Sequence, residues 1–203
     1  MRLSSLALVL LLASSSPHFG AAGLKPEVLD LALKAAAAAQ ERGFGKNKVL
    51  CVIDYSLPST KRRLWIFDLE RKKLLFHELV AHGKGSGENH ANVFSNRQGS
   101  YASSLGLFQA TETYQGKHGY TLKLVGLEKG INHHAEERSI VIHGAWYVSQ
   151  AFAKRVGRLG RSWGCPAVSK KAARKVIDSL KGGGLIFVYY PDRSWLGKSA
   201  FLN

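Results

Sequence analysis

Two segments, Ser139-Ile-Val-Ile-His-Gly144 and Gly160-Arg-Ser-Trp-Gly-Cys-Pro166, carry most of the information in this sequence. The first is an apolar strand that ends in His143, at a point where a loop can open to solvent. The second places Cys165 in a glycine-bounded turn, where backbone N–H groups can converge on a developing oxyanion. A cysteine nucleophile and a histidine general base need only lie within hydrogen-bonding reach of each other. The two segments therefore make Cys165 a candidate nucleophile and His143 a candidate base, and their separation in the sequence does not forbid contact.

Both residues also have a structural interpretation, in which Cys165 is a small core residue and His143 is a histidine satisfied at a strand end. Cys51 lies inside the continuous apolar run 49–53, which predicts a buried and inert thiol. A disulfide between Cys51 and Cys165 is a further alternative in an oxidising compartment, and it would leave Cys165 without the free thiol that a nucleophile needs.

The pattern around these segments is mainly that of β-strands. Apolar or alternating runs predict strands at 49–53, 63–68, 74–80, 105–111, 120–125, 139–143 and 185–190. Helices are predicted at 26–42, 149–156 and 170–180, the last with Ser169 as its N-cap. The segment 83–104 is rich in Gly, Ser and Asn, and a long irregular stretch of this kind is usually functional or disordered. The expected architecture is mostly β with a few flanking α-helices.

The N-terminus predicts export of the chain. Residues 1–22 combine an early Arg with a short apolar run and small residues, which is typical of a signal peptide. An N-terminal helix is expected over 23–45 and the main domain over 46–203.

The overall charge narrows the choice of partners. The chain has 29 Lys and Arg against 14 Asp and Glu, a net charge of +15. Such a charge favours an anionic surface. For an exported protein, that surface is a cell wall or a membrane rather than nucleic acid.

The motifs resemble those of the YkuD-type L,D-transpeptidases, and more closely the second YkuD-like family of murein L,D-transpeptidase catalytic domains. The resemblance covers about residues 49–191 and implies the β-sandwich or barrel of that family. The matching stretches are Val80-Ala-His-Gly-Lys-Gly-Ser-Gly87, Ile140-Val-Ile-His-Gly-Ala145 and Gly157-Arg-Leu-Gly-Arg-Ser-Trp-Gly-Cys-Pro-Ala167.

The resemblance implies acyl transfer on peptidoglycan stem peptides, without a metal or an organic cofactor. Cys165 would be the nucleophile and His143 the general base, oriented by the backbone carbonyl of Gly144. The turn that supports the oxyanion would be shaped by Ser162, Trp163 and Gly164. The candidate substrate-binding residues are Arg161, His82, Ser104 and His118.

Three departures from the main family stand out. Trp163 occupies the place of a histidine, and Ala167 stands where an Asn or Arg often follows. Eighteen residues separate His143 from Ser162, which is longer than usual. The alternatives are an L,D-carboxypeptidase or endopeptidase with the same Cys-His site and a non-catalytic wall-binding protein. A metal hydrolase built on His90, His133 and His134 is disfavoured, because their spacing matches no standard zinc motif. The sequence makes no prediction about the oligomeric state.

Overall fold

The computed structural model describes residues 19, 20 and 23–203. The predicted signal peptide therefore lies almost entirely outside the described residues and stays a prediction. Within it, Phe19 is buried and packs edge-on against Phe67, with the ring centroids 5.3 Å apart. Cleavage after Ala22 would remove this packed side chain.

The structure is mostly β, as predicted. Its strands are β1 (Val49–Asp54), β2 (Leu64–Asp68), β3 (Lys73–Glu78), β4 (Val80–Ala81), β5 (Gly106–Gly116), β6 (Gly119–Gly126), β7 (Val141–Ala145), β8 (Ala167–Ser169) and β9 (Leu185–Tyr189). Its α-helices are α1 (Pro26–Glu41), α2 (Gln150–Val156), α3 (Lys170–Leu180) and α4 (Arg193–Lys198), and a 3₁₀ turn covers Lys84–Ser86.

The nine strands of the described residues form one sheet in the order β3-β2-β1-β9-β5-β6-β7-β8-β4. The β1–β9 and β7–β8 pairs are parallel and the other pairs are antiparallel. The two edge strands, β3 and β4, are separated in the chain by Leu79 alone. The sheet must therefore curl until its two edges almost meet.

Two helices cover this curled sheet through apolar stripes. In α1 the buried positions recur every three or four residues, from Val28 through Ala32 and Ala35 to Ala39, and the helix packs on β1 and β9. In α3 the side chains of Val176, Ile177 and Leu180 are buried, and the helix packs mainly on β7. The Ser169 hydroxyl accepts a hydrogen bond from the N–H of Ala172, as expected for an N-cap. The covered strand β7 is the one that carries His143.

The structure corrects several predicted boundaries. The predicted strand 74–80 is divided into β3 and β4, which lie at opposite edges of the sheet. The strand that reaches His143 begins at Val141 rather than Ser139, because Ser139 has a φ of 55° and ends a run of turns. Strand β8 and helix α4 have no counterpart among the predictions. No helix in the described part of the chain is long and apolar enough to cross a membrane.

Candidate active site

The turn that presents Cys165 leads into β8, and it is held by the segment that follows β4, the edge strand paired with β8. The Ser162 N–H donates to the His82 carbonyl oxygen at 3.0 Å, and the Lys84 N–H donates to the Ser162 carbonyl oxygen at 2.8 Å. Within the turn, the Ser162 hydroxyl donates to the Cys165 carbonyl oxygen at 2.6 Å and accepts from the Gly164 N–H at 3.1 Å. The Gly164 N–H already has a partner, so the N–H groups of Trp163 and Cys165 are the candidate oxyanion donors.

Glycine at position 83 allows this close approach. A Cβ added there would lie 2.7 Å from the Gly164 Cα and would also collide with the Tyr101 carbonyl oxygen. The Ser103 hydroxyl joins the two segments, since it accepts from the Gly83 N–H and donates to the Gly164 carbonyl oxygen, each at 3.0 Å. The Gly- and Ser-rich segment thus forms the rear wall of the Cys165 turn.

His143 lies on β7, between β6 and β8. Its Nδ1 is 3.2 Å from the carbonyl oxygen of Gly144, so Nδ1 carries the proton in the neutral ring and Nε2 is the acceptor. The ring stacks on His118, with centroids 4.2 Å apart. Burial lowers the pKa of His143, the Gly144 hydrogen bond opposes this, and nearby His118 and Lys117 lower it further. The imidazole is therefore neutral and able to take up a proton near pH 7.

The Cys165 side chain is partly exposed, and its Sγ lies 3.6 Å from the Ser139 carbonyl oxygen, to which the thiol donates. Burial raises the pKa of the Cys165 thiol, while the Val141 N–H and the charges of Arg138 and Lys117 act in the opposite direction. The net shift is upward. The resting group is therefore a thiol, which needs a base to become a nucleophile.

Cys165 and His143 line one cleft with a volume of about 340 Å³. Four other residues that the sequence singled out line the same cleft: His118, Arg161, Ser162 and Trp163. A second cleft of about 600 Å³ lies beside it, and the two clefts share Lys117, His118, His143 and Tyr147. Gly144 lines only the second cleft. His143 therefore faces two openings.

Residues 21–189 match the family model of the L,D-transpeptidase catalytic domain. The chain belongs to this family.

Solved structures similar to this L,D-transpeptidase catalytic domain have low sequence identity to it. An L,D-transpeptidase from Mycobacterium smegmatis is 15% identical over 70% of this chain and 59% of its own, with a TM-score of 0.42. The helical cell shape determining protein Pgp2 from Campylobacter jejuni is 11% identical over 78% of this chain and 56% of its own, with a TM-score of 0.44. The chain thus spans less than two thirds of the length of these proteins. No curated protein matches the chain.

Two of the predicted substrate-binding residues of this L,D-transpeptidase domain lie outside both clefts. His82 is buried, where its Nδ1 accepts from the Arg63 guanidinium at 2.7 Å and its Nε2 is 3.3 Å from the Gly87 carbonyl oxygen. Ser104 is also buried, and its hydroxyl donates to the Ser95 carbonyl oxygen at 2.7 Å. Both side chains hold the irregular segment in place, and neither lines the clefts that border His143.

The environment of His82 predicts a loss of stability in acid. Burial and the charge of Arg63 lower its pKa from 6.5 to about 4 in the folded L,D-transpeptidase domain. Unfolded His82 takes up a proton below pH 6.5, whereas folded His82 does so only near pH 4, so the free energy of unfolding falls as the pH drops between these values. The loss amounts to about 3 kcal/mol. Urea unfolding across this range should show a smaller pH dependence for His82→Asn than for the wild type. If the free energy of unfolding of the two proteins changes equally with pH, His82 is excluded as the source of the acid instability.

Sequence reasoning missed several residues that line the cleft of this domain, chiefly Lys117, Arg138 and Tyr147. Lys117 lies in the turn between β5 and β6. Arg138 follows Glu136 and Glu137, and such a charged run normally indicates a solvated surface. In the described part of the chain, no group of three or more His, Cys, Asp or Glu side chains could hold a metal ion.

The two thiols are both free, so the disulfide alternative is not realised. Cys51 is fully buried in β1 and its pKa is raised by burial, while Cys165 opens into the cleft. We expect iodoacetamide to label Cys165 at least about a hundredfold faster than Cys51, which needs an opening of the core to react. Peptide mapping of the folded protein at several labelling times measures both rates. Equal labelling rates at the two thiols would contradict the assignment of Cys165 as the accessible thiol and Cys51 as the inert one.

Proposed function

We propose that the chain is a cysteine-dependent peptidoglycan L,D-transpeptidase. The observation that carries the proposal is the pair of Cys165 and His143 in one cleft, with His143 Nδ1 turned to the Gly144 carbonyl oxygen, in a chain of the L,D-transpeptidase catalytic domain family. The other nitrogen of the ring is then left as the proton acceptor that the thiol requires.

Acylation begins with transfer of the Cys165 proton to Nε2 of His143. The thiolate attacks the carbonyl carbon at the L-centre of the third residue of a tetrapeptide stem, and backbone N–H groups of the turn stabilise the oxyanion. When the intermediate collapses, the bond to the terminal D-alanine breaks and its nitrogen takes the proton from His143. The product is a thioester on Cys165.

In the second step, the side-chain amine of another stem attacks the thioester. His143 takes the proton of this amine and returns it to the departing sulfur, so the free thiol is regenerated. The new amide bond joins the third residues of two stems. The second cleft, which reaches His143 from the Gly144 side, offers the amine an approach separate from the donor cleft.

The charge of the clefts matches such substrates. The first cleft is lined by Lys117, Arg138 and Arg161, and Lys170 and Arg174 line the second. No Asp or Glu is among the described residues that line either cleft. Stem peptides carry free carboxylates, including that of the terminal D-alanine, and guanidinium and ammonium groups favour them.

The same proposal covers location and partners. A chain with a net charge of +15 is attracted to anionic wall polymers and membrane surfaces, and its substrate lies in the cell envelope. We therefore place the protein outside the cytoplasm, with peptidoglycan stems as its partners and without nucleic acid.

The test uses the purified protein and tetrapeptide muropeptides, with mass spectrometry of the intact protein and of the products. A protein adduct equal to the stem without D-alanine, together with cross-linked dimers, is the expected result. An adduct with only tripeptide product would indicate water as the acceptor and therefore a carboxypeptidase. A folded protein that gives neither adduct nor product would favour a wall-binding role.

A further inference from the structure

Arg138 is held in an unusual way for a half-buried cation. One of its terminal nitrogens donates to the Ser95 carbonyl oxygen at 2.7 Å and to the Ser104 hydroxyl at 2.6 Å. The other donates to the Ala102 carbonyl oxygen at 2.6 Å and lies 3.3 Å from the Ser100 hydroxyl. All four acceptors are neutral. None of the ion pairs among the described residues includes Arg138.

Partial burial of a charge without a counter-ion costs free energy, so this arrangement needs a physical reason. The guanidinium lines the same cleft as Cys165. It also lies close to the Cys165 turn, since one of its terminal nitrogens is 3.4 Å from the point where a Cβ of Gly164 would be. The irregular segment 95–104 therefore fixes a positive charge beside the nucleophile.

We propose that Arg138 is a positioning residue that stabilises the Cys165 thiolate through its fixed, unpaired positive charge. The proposal rests on the proposed function for the role of this thiolate in acylation. Burial lowers the pKa of Arg138, and the charge of Cys165 raises it. The same interaction also acts on the thiol, because the charge of Arg138 lowers the pKa of Cys165.

Other titratable and charged groups face the same space from several elements. His143 lies on β7, His118 and Lys117 lie in the β5–β6 turn, Tyr147 follows β7, and Arg161 precedes Cys165. Arg161 is paired with Glu88 at 2.6 Å, and Lys117 is exposed on a flexible stem. Solvent and salt screen an exposed charge more strongly than a half-buried one. Among the positive charges around the cleft, Arg138 is therefore expected to lower the pKa of the Cys165 thiol the most.

The test measures the pH dependence of iodoacetamide labelling at Cys165 in the full chain, which requires no substrate. We expect Arg138→Gln to shift the midpoint upward by about one pH unit and to slow labelling near pH 7 about tenfold. Arg138→Lys retains the charge and should recover at least about half of this shift. The control Arg42→Gln removes one charge from a residue that contacts Ala200 and Phe201, away from the cleft, and should match the wild type.

Two outcomes would overturn the proposal. A wild-type profile for folded Arg138→Gln would show that the charge does not act on the thiol. Equal shifts in the Gln and Lys variants would show that Arg138 only holds the segment 95–104. If the Gln variant does not fold, the Lys variant tests the proposal alone. Its labelling midpoint should then shift by about half a pH unit or less, and a shift of a full unit with the charge retained would contradict the proposal. Labelling and transpeptidation are separate measurements, so failure of one proposal is distinguishable from failure of the other.

Discussion

Replacing Cys165 by alanine is expected to abolish the protein adduct and the cross-linked product together. No other thiol reaches the cleft, since Cys51 is fully buried in β1. Loss of a nucleophile lowers turnover by about a millionfold, to the detection limit of most assays. Intact-protein mass spectrometry after incubation with tetrapeptide muropeptides measures the adduct, and chromatography of the products measures the cross-link.

The matched control is Cys51→Ala. It removes the same atom from the core, where the resulting cavity costs about 1–2 kcal/mol of stability, but it leaves the cleft untouched. The expected pattern is a stable, inactive Cys165→Ala protein and a less stable, active Cys51→Ala protein. Adduct formation by folded Cys165→Ala would move the nucleophile elsewhere and refute the proposed mechanism.

The second large effect is expected for His143→Ala. The Cys165 thiol has a raised pKa because of its burial, so few thiolates form near pH 7 without a base to accept the proton. General-base catalysis typically contributes about 10²- to 10⁴-fold, and acylation should slow by a factor in this range. Higher pH should restore part of the rate, since hydroxide then forms the thiolate directly. Quenched-flow mass spectrometry of the adduct at several pH values measures this recovery.

The control here is His134→Ala, because His134 is paired with Glu137 on the surface. It should acylate at the wild-type rate at every pH. A His143→Ala protein that forms the thioester at the wild-type rate near pH 7 would exclude His143 as the base in acylation.

The strands were largely predictable because their burial is recorded in the sequence. The apolar run 49–53 became the buried strand β1, and the run 185–190 became its parallel neighbour β9. Helix α4 was not predictable in this way, since it is only six residues long and contains a glycine. It depends on Asp192 as its N-cap and on the packing of Trp195 against Phe187. Such contacts come from distant parts of the chain.

The site was only partly predictable for the same reason. Glycines next to Cys165 and at the end of the strand that carries His143 indicated, from the local sequence, that both residues lie at turns open to solvent. His82 also precedes a glycine, yet the structure directs its ring to Arg63, a partner nineteen positions away in the chain. Arg138 follows two glutamates and suggests a solvated surface, whereas the fold directs it inward to the segment 95–104. Local patterns identify reactive residue types, but the direction of a side chain depends on the tertiary structure.

The burial of Cys51 also affects how the protein would respond to oxidants. Peroxide converts an accessible thiolate to a sulfenic acid, which a neighbouring thiol can rescue by forming a disulfide. Cys51 is the only other cysteine in the sequence, and with no exposed surface it cannot serve as that resolving thiol. Oxidised Cys165 would then depend on an external reductant, and without one it would proceed to irreversibly oxidised forms.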